Sequence, residues 1–204
     1  MPTPTTTDTP AKQRLVKQRK HEGIVFLLGF IACVPAANYI VQHIGVFCVA
    51  EGGPCVIPVA PPSIYSIYAP SGVLLIGIAF VLRDLVQRRL GIWWAMLAIV
   101  AGALLSIGFA PAGLIIASTT AFFISEFIDL MVYTPLQKRG LILAAVASSI
   151  VGLTVDSLVF LQLAFGDLEF IVGQIIGKTW MILVAIPFLY WLRARDKRIG
   201  LGAA

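Results

Sequence analysis

Six long apolar runs, separated by short polar links, constrain this chain more than any other feature of its sequence. They cover roughly residues 23–47, 67–90, 92–109, 113–137, 141–165 and 168–192. Each is close to the ~20 residues that an α-helix needs to cross the hydrocarbon core of a bilayer. None alternates with the period of two that marks a barrel strand, and lipid offers no partner to an open backbone group, so the runs are expected to be helices. Composition agrees. Of 204 residues 59% are hydrophobic and 12% charged, with a mean hydropathy of +0.93, whereas a soluble domain is about half apolar and about a quarter charged. The expectation is an all-α, polytopic membrane protein of six transmembrane helices with no second soluble domain. A cleavable signal peptide is not expected, because the first apolar run follows a polar stretch and is too long for a signal peptide's apolar core.

The formal net charge of +5 would suit a nucleic-acid binder if the basic residues formed one face. They sit instead in short clusters beside apolar runs, so no nucleic-acid partner is expected. Residues 1–22, Thr/Pro-rich and then basic, read as a cytoplasmic tail, disordered at its start, with Lys12, Arg14, Lys17, Arg19 and Lys20. Arg88 and Arg89 follow at the second link, Lys138 and Arg139 at the fourth, and Arg193, Arg195, Lys197 and Arg198 in the tail 193–204. The remaining links carry Glu51, Asp167 and Glu169 and no Lys or Arg. A basic cluster at every second link predicts six spans of a cell inner membrane with both termini in the cytoplasm.

The first external link, CVAEGGPCVIPVAPPSIYS, holds Cys48 and Cys55. These form a disulfide if the outside is oxidising, or are two small buried thiols. Cys33, inside the first helix, reads as packing. Gly173 with Gly177, and Ala32 with Ala36, are small-xxx-small pairs that allow close helix approach without naming a partner.

Ionisable residues inside the spans carry the functional signal. Arg83, Asp84, Glu126, Asp129, Asp156 and Lys178 all fall within them. A charge near a helix centre costs about 2.5–3.5 kcal/mol on insertion scales, so six unpaired ones would cost on the order of 15–20 kcal/mol. That exceeds the whole stability of a small protein. These groups must face inward, pair, or line a wet cavity. Glu126, Asp156 and Lys178 lie near the middles of three different helices, which brings them to one level. Phe122, Glu126, Asp129 and Tyr133 share one helix face. So do Gly152, Asp156 and Phe160; Gln174 and Lys178; Phe80, Asp84 and Gln87; and Asn38 with Gln42. A register-fixing salt-bridge network would explain such groups structurally. Two cations against four acids leave a surplus of negative charge, however, which favours a protonated acid or a bound solute. Carboxylates, Gln174, Asn38, Ser125, Ser157 and the rings of Phe122, Phe123 and Phe160 suit a small, flat, hydrogen-bonding molecule.

An enzyme is not expected. His21 and His43 lie at the ends of the first helix and away from Cys or carboxylates at metal-ligand spacing, and no GxSxG, HExxH or phosphate-binding loop is present. Neither a metal nor a cofactor is implied. Asp129 and Asp156 could face each other as in an intramembrane aspartyl protease, but their surroundings, YTP and VDS, do not resemble that family.

The runs RDLVQRRLG (83–91), SEFIDLMVYTPL (125–136), VDSLVFLQLAFG (155–166) and GQIIGK (173–178) together resemble the vitamin uptake transporter (VUT) family, which includes queuosine-precursor transporters. The resemblance spans all six helices and excludes the tails. It implies a six-helix membrane protein akin to the substrate-binding subunits of energy-coupling-factor transporters. It also implies import of a deazapurine (7-cyano- or 7-aminomethyl-7-deazaguanine, or queuine) for tRNA modification, with another vitamin-like or purine-like solute, delivered by docking on an energising module, as the alternative. Asn38, Asp84, Asp129, Asp156 and Lys178 match the family's polar positions. Two positions depart from the wider family: Glu126 stands where Gln is common, and Arg88 where an acidic residue is. On this reading Glu126 accepts from the ring N–H and exocyclic amine of the solute, and Asp156, Lys178, Asp129, Asn38, Gln174, Phe122 and Phe160 complete the substrate site. Asp156 and Lys178 are expected to contact the solute's opposite edge or each other, Asp129 to pair with Arg83 or Lys178, and Arg83, Asp84 and Gln87 to form an inner gate or ion pair.

Overall fold

The computed structural model describes residues 10–48, 54–60, 67–110 and 112–201; Glu51 and the first nine residues of the expected tail lie outside that range. Six α-helices follow in order: α1 (Pro10–His43), α2 (Val73–Leu90), α3 (Ile92–Phe109), α4 (Ile115–Leu136), α5 (Leu141–Ala164) and α6 (Ile171–Ile199). A single 3-10 turn, Ala112–Leu114, precedes α4. Five of the helices are long and apolar enough to cross a membrane by themselves. The exception is α2, whose 18 residues include Arg83, Asp84, Arg88 and Arg89.

The arrangement resolves that exception. Helix α2 packs against every other helix, and α1, α3, α4, α5 and α6 form a ring around it. Most of α2 is buried, including Arg83, Asp84, Gln87 and Arg89. A charged helix is tolerated in lipid when protein rather than hydrocarbon surrounds it. The ring helices show the reverse pattern. In α3, Ala95, Ala98, Ile99, Gly102 and Ala103 face inward, while Trp93, Leu97, Val100, Leu104 and Ile107 form an exposed stripe. Small residues inside and large apolar ones outside are what a lipid-facing helix requires, since hydrophobicity alone does not draw helices together in a bilayer.

Glycines set the closest approaches. A Cβ on Gly77 would stand 2.7 Å from the Lys178 carbonyl oxygen, which brings α2 and α6 together. A Cβ on Gly152 would stand 2.8 Å from the Phe80 ring and 2.9 Å from Asp129 Cβ, so α5 lies directly on α2 and α4 there. The GxxxG pair of α6 is used within the chain: Gly173 meets the Tyr68 backbone and Gly177 meets Val73.

The expected boundaries of the middle helices agree with α3, α4 and α5 to within two residues, and three other expectations are corrected. The segment 10–22, expected as a tail, is helical and continues α1 without a break. Its Glu22 lies at the end of the bundle, where Arg89 Nε meets Glu22 Oε2 at 3.0 Å and Arg195 Nη2 meets both Glu22 oxygens at 2.7 Å, and these pairs hold the helix past the apolar run. Likewise α6 continues to Ile199, seven residues beyond the expected end at 192, because Arg195 and Asp196 belong to the same cluster. Arg89, buried at 1% exposure, joins it by donating to Asp196 Oδ1 at 2.8 Å. The third correction concerns the second span, whose first residues are not helical. Tyr68–Pro70 is strand β3 of a three-stranded antiparallel sheet with β1 (Phe47–Cys48) and β2 (Cys55–Pro58), in the order β1-β2-β3. Pro70 cannot continue a helix inward from this segment with a full set of hydrogen bonds, and α2 starts only after Gly72.

Of the two readings left open for the external cysteines, the disulfide is the one observed: Cys48 and Cys55 are opposite one another in the β1–β2 ladder and are bonded. Cys33 is free and buried. The sheet is tied to the bundle where Trp180 Nε1 donates to the Val59 carbonyl at 3.0 Å and Ser71 Oγ donates to the Ile40 carbonyl at 3.0 Å.

Candidate functional site

A cavity of about 100 Å³ opens under the sheet and is lined by residues of all six helices. A single water needs only about 10–15 Å³ on this measure, so the space suits a small organic solute. Its apolar wall comes from Val34, Ala37, Val41, Val73 and Ile76. Its polar wall is Asn38 of α1, Ser106 of α3, Ser118 of α4, Asp156 of α5, and Gln174 and Lys178 of α6, with Phe122 and Phe160 beside them.

Lys178 is the centre of the polar wall. Its ammonium donates to Asp156 Oδ2 at 2.5 Å, Gln174 Oε1 at 2.6 Å and Ser157 Oγ at 2.8 Å. All three N–H groups of a lysine are thereby used. The second oxygen of Asp156 accepts from Ser125 Oγ at 3.3 Å. Local helix geometry makes this possible: Gln174 and Lys178 are one turn apart on α6, and Gly177 beside them lets that turn approach Val73 of α2.

A second buried cluster lies about one helical turn deeper, on the side away from the sheet. Its cation is Arg83 of α2. The guanidinium meets Asp84 Oδ1 at 2.9 Å and Glu126 Oε2 at 3.2 Å, and its Nη2 pairs with Asp129. Nη1 also donates to Gln87 Oε1 at 3.4 Å, and Gln87 Nε2 donates to Thr134 Oγ1 at 3.0 Å. Ser148 Oγ of α5 donates to Asp84 Oδ2 at 3.0 Å, and the guanidinium carbon stands 5.9 Å from the centre of the Tyr133 ring. All four charged residues are at most 1% exposed. On α5 the face Ser148, Gly152, Asp156 touches both clusters in turn: Ser148 bonds Asp84, Gly152 abuts Asp129, and Asp156 bonds Lys178.

The structure therefore divides the residues singled out in the sequence into two groups. Asn38, Phe122, Asp156, Phe160, Gln174 and Lys178 line the cavity. Glu126 and Asp129 do not line it but pair with Arg83, beside Asp84 and Gln87. Glu126, given the solute's ring edge from sequence, thus has its carboxylate on a guanidinium, and the acid that faces the cavity is Asp156. Four hydroxyls belong to the two sites without having been singled out: Ser106, Ser118, Thr134 and Ser148. Ser106 had a signal, since it is the one hydroxyl in the otherwise apolar α3. Ser148 had one too, being two turns before Asp156 on the same face.

Residues 107–192 match the model of a family described as "Putative vitamin uptake transporter". The matched segment runs from the last turn of α3 into α6 and carries Glu126, Asp129, Asp156, Gln174 and Lys178, while Asn38, Arg83 and Asp84 lie before it. No curated protein and no solved structure matches the chain. The spanning helices fit a multi-pass membrane protein, and over residues 107–192, under half of the chain, it is similar to vitamin uptake transporters.

Proposed function

We propose that this vitamin-uptake-type chain imports a queuosine precursor, a 7-deazaguanine, through the cavity under the sheet. The observation that carries the reading is the chemistry of the cavity wall, where a carboxylate, an ammonium and an amide stand together beside two phenyl rings. A deazaguanine presents a carbonyl oxygen, a ring N–H and an exocyclic amine along one edge. Asp156 accepts from the N–H and the amine, Lys178 donates to the carbonyl, and Gln174 and Asn38 take the remaining polar atoms. Phe122 or Phe160 covers the flat face. Lys178 and Asp156 satisfy each other, so solute binding exchanges one set of charge-assisted bonds for another rather than burying bare charges. The resemblance of residues 83–91, 125–136, 155–166 and 173–178 to the VUT family, which includes queuosine-precursor transporters, supports a substrate of this class.

We further propose that the sheet faces the outside of an inner membrane and that both termini face the cytoplasm. Two independent features support this. The basic residues Arg88, Arg89, Lys138, Arg139 and Arg195 gather at the end of the bundle opposite the sheet, and the Cys48–Cys55 disulfide belongs in an oxidising compartment.

The test is restoration of queuosine in tRNA. A bacterial strain unable to make the precursor, and lacking its own importer, is given this chain and external 7-cyano-7-deazaguanine. Queuosine should reappear with the wild-type chain and stay absent with Asp156→Asn or Lys178→Met expressed at equal membrane levels. Wild-type restoration by both variants would remove the basis for the assignment.

A further inference from the structure

The Arg83 cluster contains a charge imbalance that its geometry does not relieve. One guanidinium faces three carboxyl groups, Asp84, Glu126 and Asp129, all at most 1% exposed. Three ionised acids would leave two negative charges uncompensated inside the bundle, each costing about 2.5–3.5 kcal/mol even on the mildest scale for charge at bilayer depth. The neighbouring cations are committed elsewhere: Lys178 to Asp156, Arg88 to Asp196, and Arg89 to Glu22 and Asp196. Asp129 Oδ1 and Tyr133 Oη are buried without a hydrogen-bond partner among the described residues. A structural ion pair has no use for the extra acids.

We propose that the Arg83 cluster is a proton-binding site, and that its proton is the ion coupled to import through the neighbouring cavity. The proton comes from external water, resides as the O–H of a carboxyl group within the set Asp84, Glu126 and Asp129, and leaves to internal water; no other bond forms or breaks. The coupling half of this inference rests on the uptake reading above, whereas the proton-binding half does not.

Position supports coupling. On its outer side the cluster adjoins the cavity through consecutive residues of α4, because Ser125 bonds Asp156 of the cavity wall and Glu126 bonds Arg83. On its inner side Arg83, Gln87 and Thr134 form a hydrogen-bonded chain toward the basic end of the bundle. The site thus lies between the solute cavity and the far aqueous phase. The charged and titratable groups facing it are few. Helix α2 supplies Arg83 and Asp84, with Arg88 and Arg89 within electrostatic reach of Tyr133 but paired to Asp196 and Glu22. Helix α4 supplies Glu126, Asp129 and Tyr133, and α5 supplies Asp156, with Ser148 and Ser149 as buried hydroxyls. Lys178 of α6 stands beyond Asp156, and the Cys33 thiol of α1 is within electrostatic reach of Glu126.

Two measurements test the inference. First, the purified full chain is reconstituted in sodium-free liposomes and uptake of labelled 7-cyano-7-deazaguanine is followed with and without an inward proton gradient. The gradient should accelerate uptake several-fold and drive accumulation above the external level, and Asp129→Asn and Asp84→Asn should each abolish the acceleration. Gradient-independent uptake by the wild-type chain, or acceleration by sodium instead of protons, overturns the proposal. Second, infrared spectroscopy should show a buried protonated carboxyl band at neutral pH that is lost or reduced in Asp129→Asn or Asp84→Asn. Absence of that band in the folded wild-type protein overturns the proposal even if the probe is not transported. No uptake with the band present counts against the proposed substrate and the coupling, and leaves the proton site standing.

Discussion

The Lys178–Asp156 pair separates what holds the bundle together from what handles the solute. Lys178→Met removes a cation whose three N–H groups all have partners, at 2.5, 2.6 and 2.8 Å. Asp156 is left 8% exposed with Ser125 as its remaining side-chain donor. Breaking a buried pair from one side costs about 3–5 kcal/mol, because the surviving charge is uncompensated. At 1.4 kcal/mol per factor of ten, the folded-to-unfolded ratio should fall by about a few hundred to a few thousand. The double variant Lys178→Met, Asp156→Leu buries no orphan charge, and replacing both partners of such a pair by apolar groups is often neutral or stabilising. It should therefore regain most of the lost stability and still fail to transport. Reversible unfolding in mixed micelles measures the first quantity, and restoration of tRNA queuosine measures the second. If the double variant were as unstable as Lys178→Met, the energetic argument would be wrong. If it were stable and also transported normally, the pair would be structural and the cavity assignment would fail.

Three other outcomes follow from the packing and the ion pairs. Gly152→Val should lower stability by about 1–3 kcal/mol, read as a drop in detergent melting temperature, since its Cβ alone would reach 2.8 Å from the Phe80 ring; an unchanged melting temperature would mean that α5 does not lie on α2 at this point. Arg89→Ala should destabilise by about 1–3 kcal/mol because it removes the buried cation between Glu22 and Asp196, which keep Arg195 and Arg88, while Arg195→Ala, whose side chain is 25% exposed, should cost no more than about 1 kcal/mol. Thiol labelling of the denatured, unreduced chain should modify Cys33 alone, with two further sites after reduction; three sites without reductant would rule out the bridge.

How far the sequence carried these conclusions depended on the period of the signal. Helices α3, α4 and α5 were legible to within two residues because each is a nearly uninterrupted apolar run bounded by Gly91, Gly140 or a short polar link. The ends of α1 and α6 were not, because apolarity marks where lipid stops and not where a helix stops. Residues 10–22 and 193–199 stay helical through ion pairs among Glu22, Arg89, Arg195 and Asp196, and such pairs join positions far apart in the chain. The strand at Tyr68–Pro70 was hidden for a related reason, since its pairing partner is Val56–Pro58. At the site, helical spacing correctly put Phe122, Glu126, Asp129 and Tyr133 on one inward face, but one helix says nothing of which cation stands opposite each turn. The common depth of these groups was enough to expect Asp156 beside Lys178 and Asp129 on Arg83 or Lys178, and both contacts form, with Arg83 the partner of Asp129. That Glu126 also meets Arg83 instead of the cavity followed only from how α2 and α4 are stacked.

The charged core helix also has a consequence for biogenesis. A translocon judges each segment as it emerges, and Arg83 and Asp84 each add about 2.5–3.5 kcal/mol to the cost of releasing α2 into lipid near a helix centre. Within α2 the two can pair only with each other. The further partners, Glu126 and Asp129 of Arg83 and the Ser148 hydroxyl on Asp84, belong to α4 and α5 and have not yet been synthesised. Stable integration of α2 must therefore wait for the later helices, so a nascent chain cut off before α4 should be extracted and degraded rather than remain as a two- or three-helix fragment.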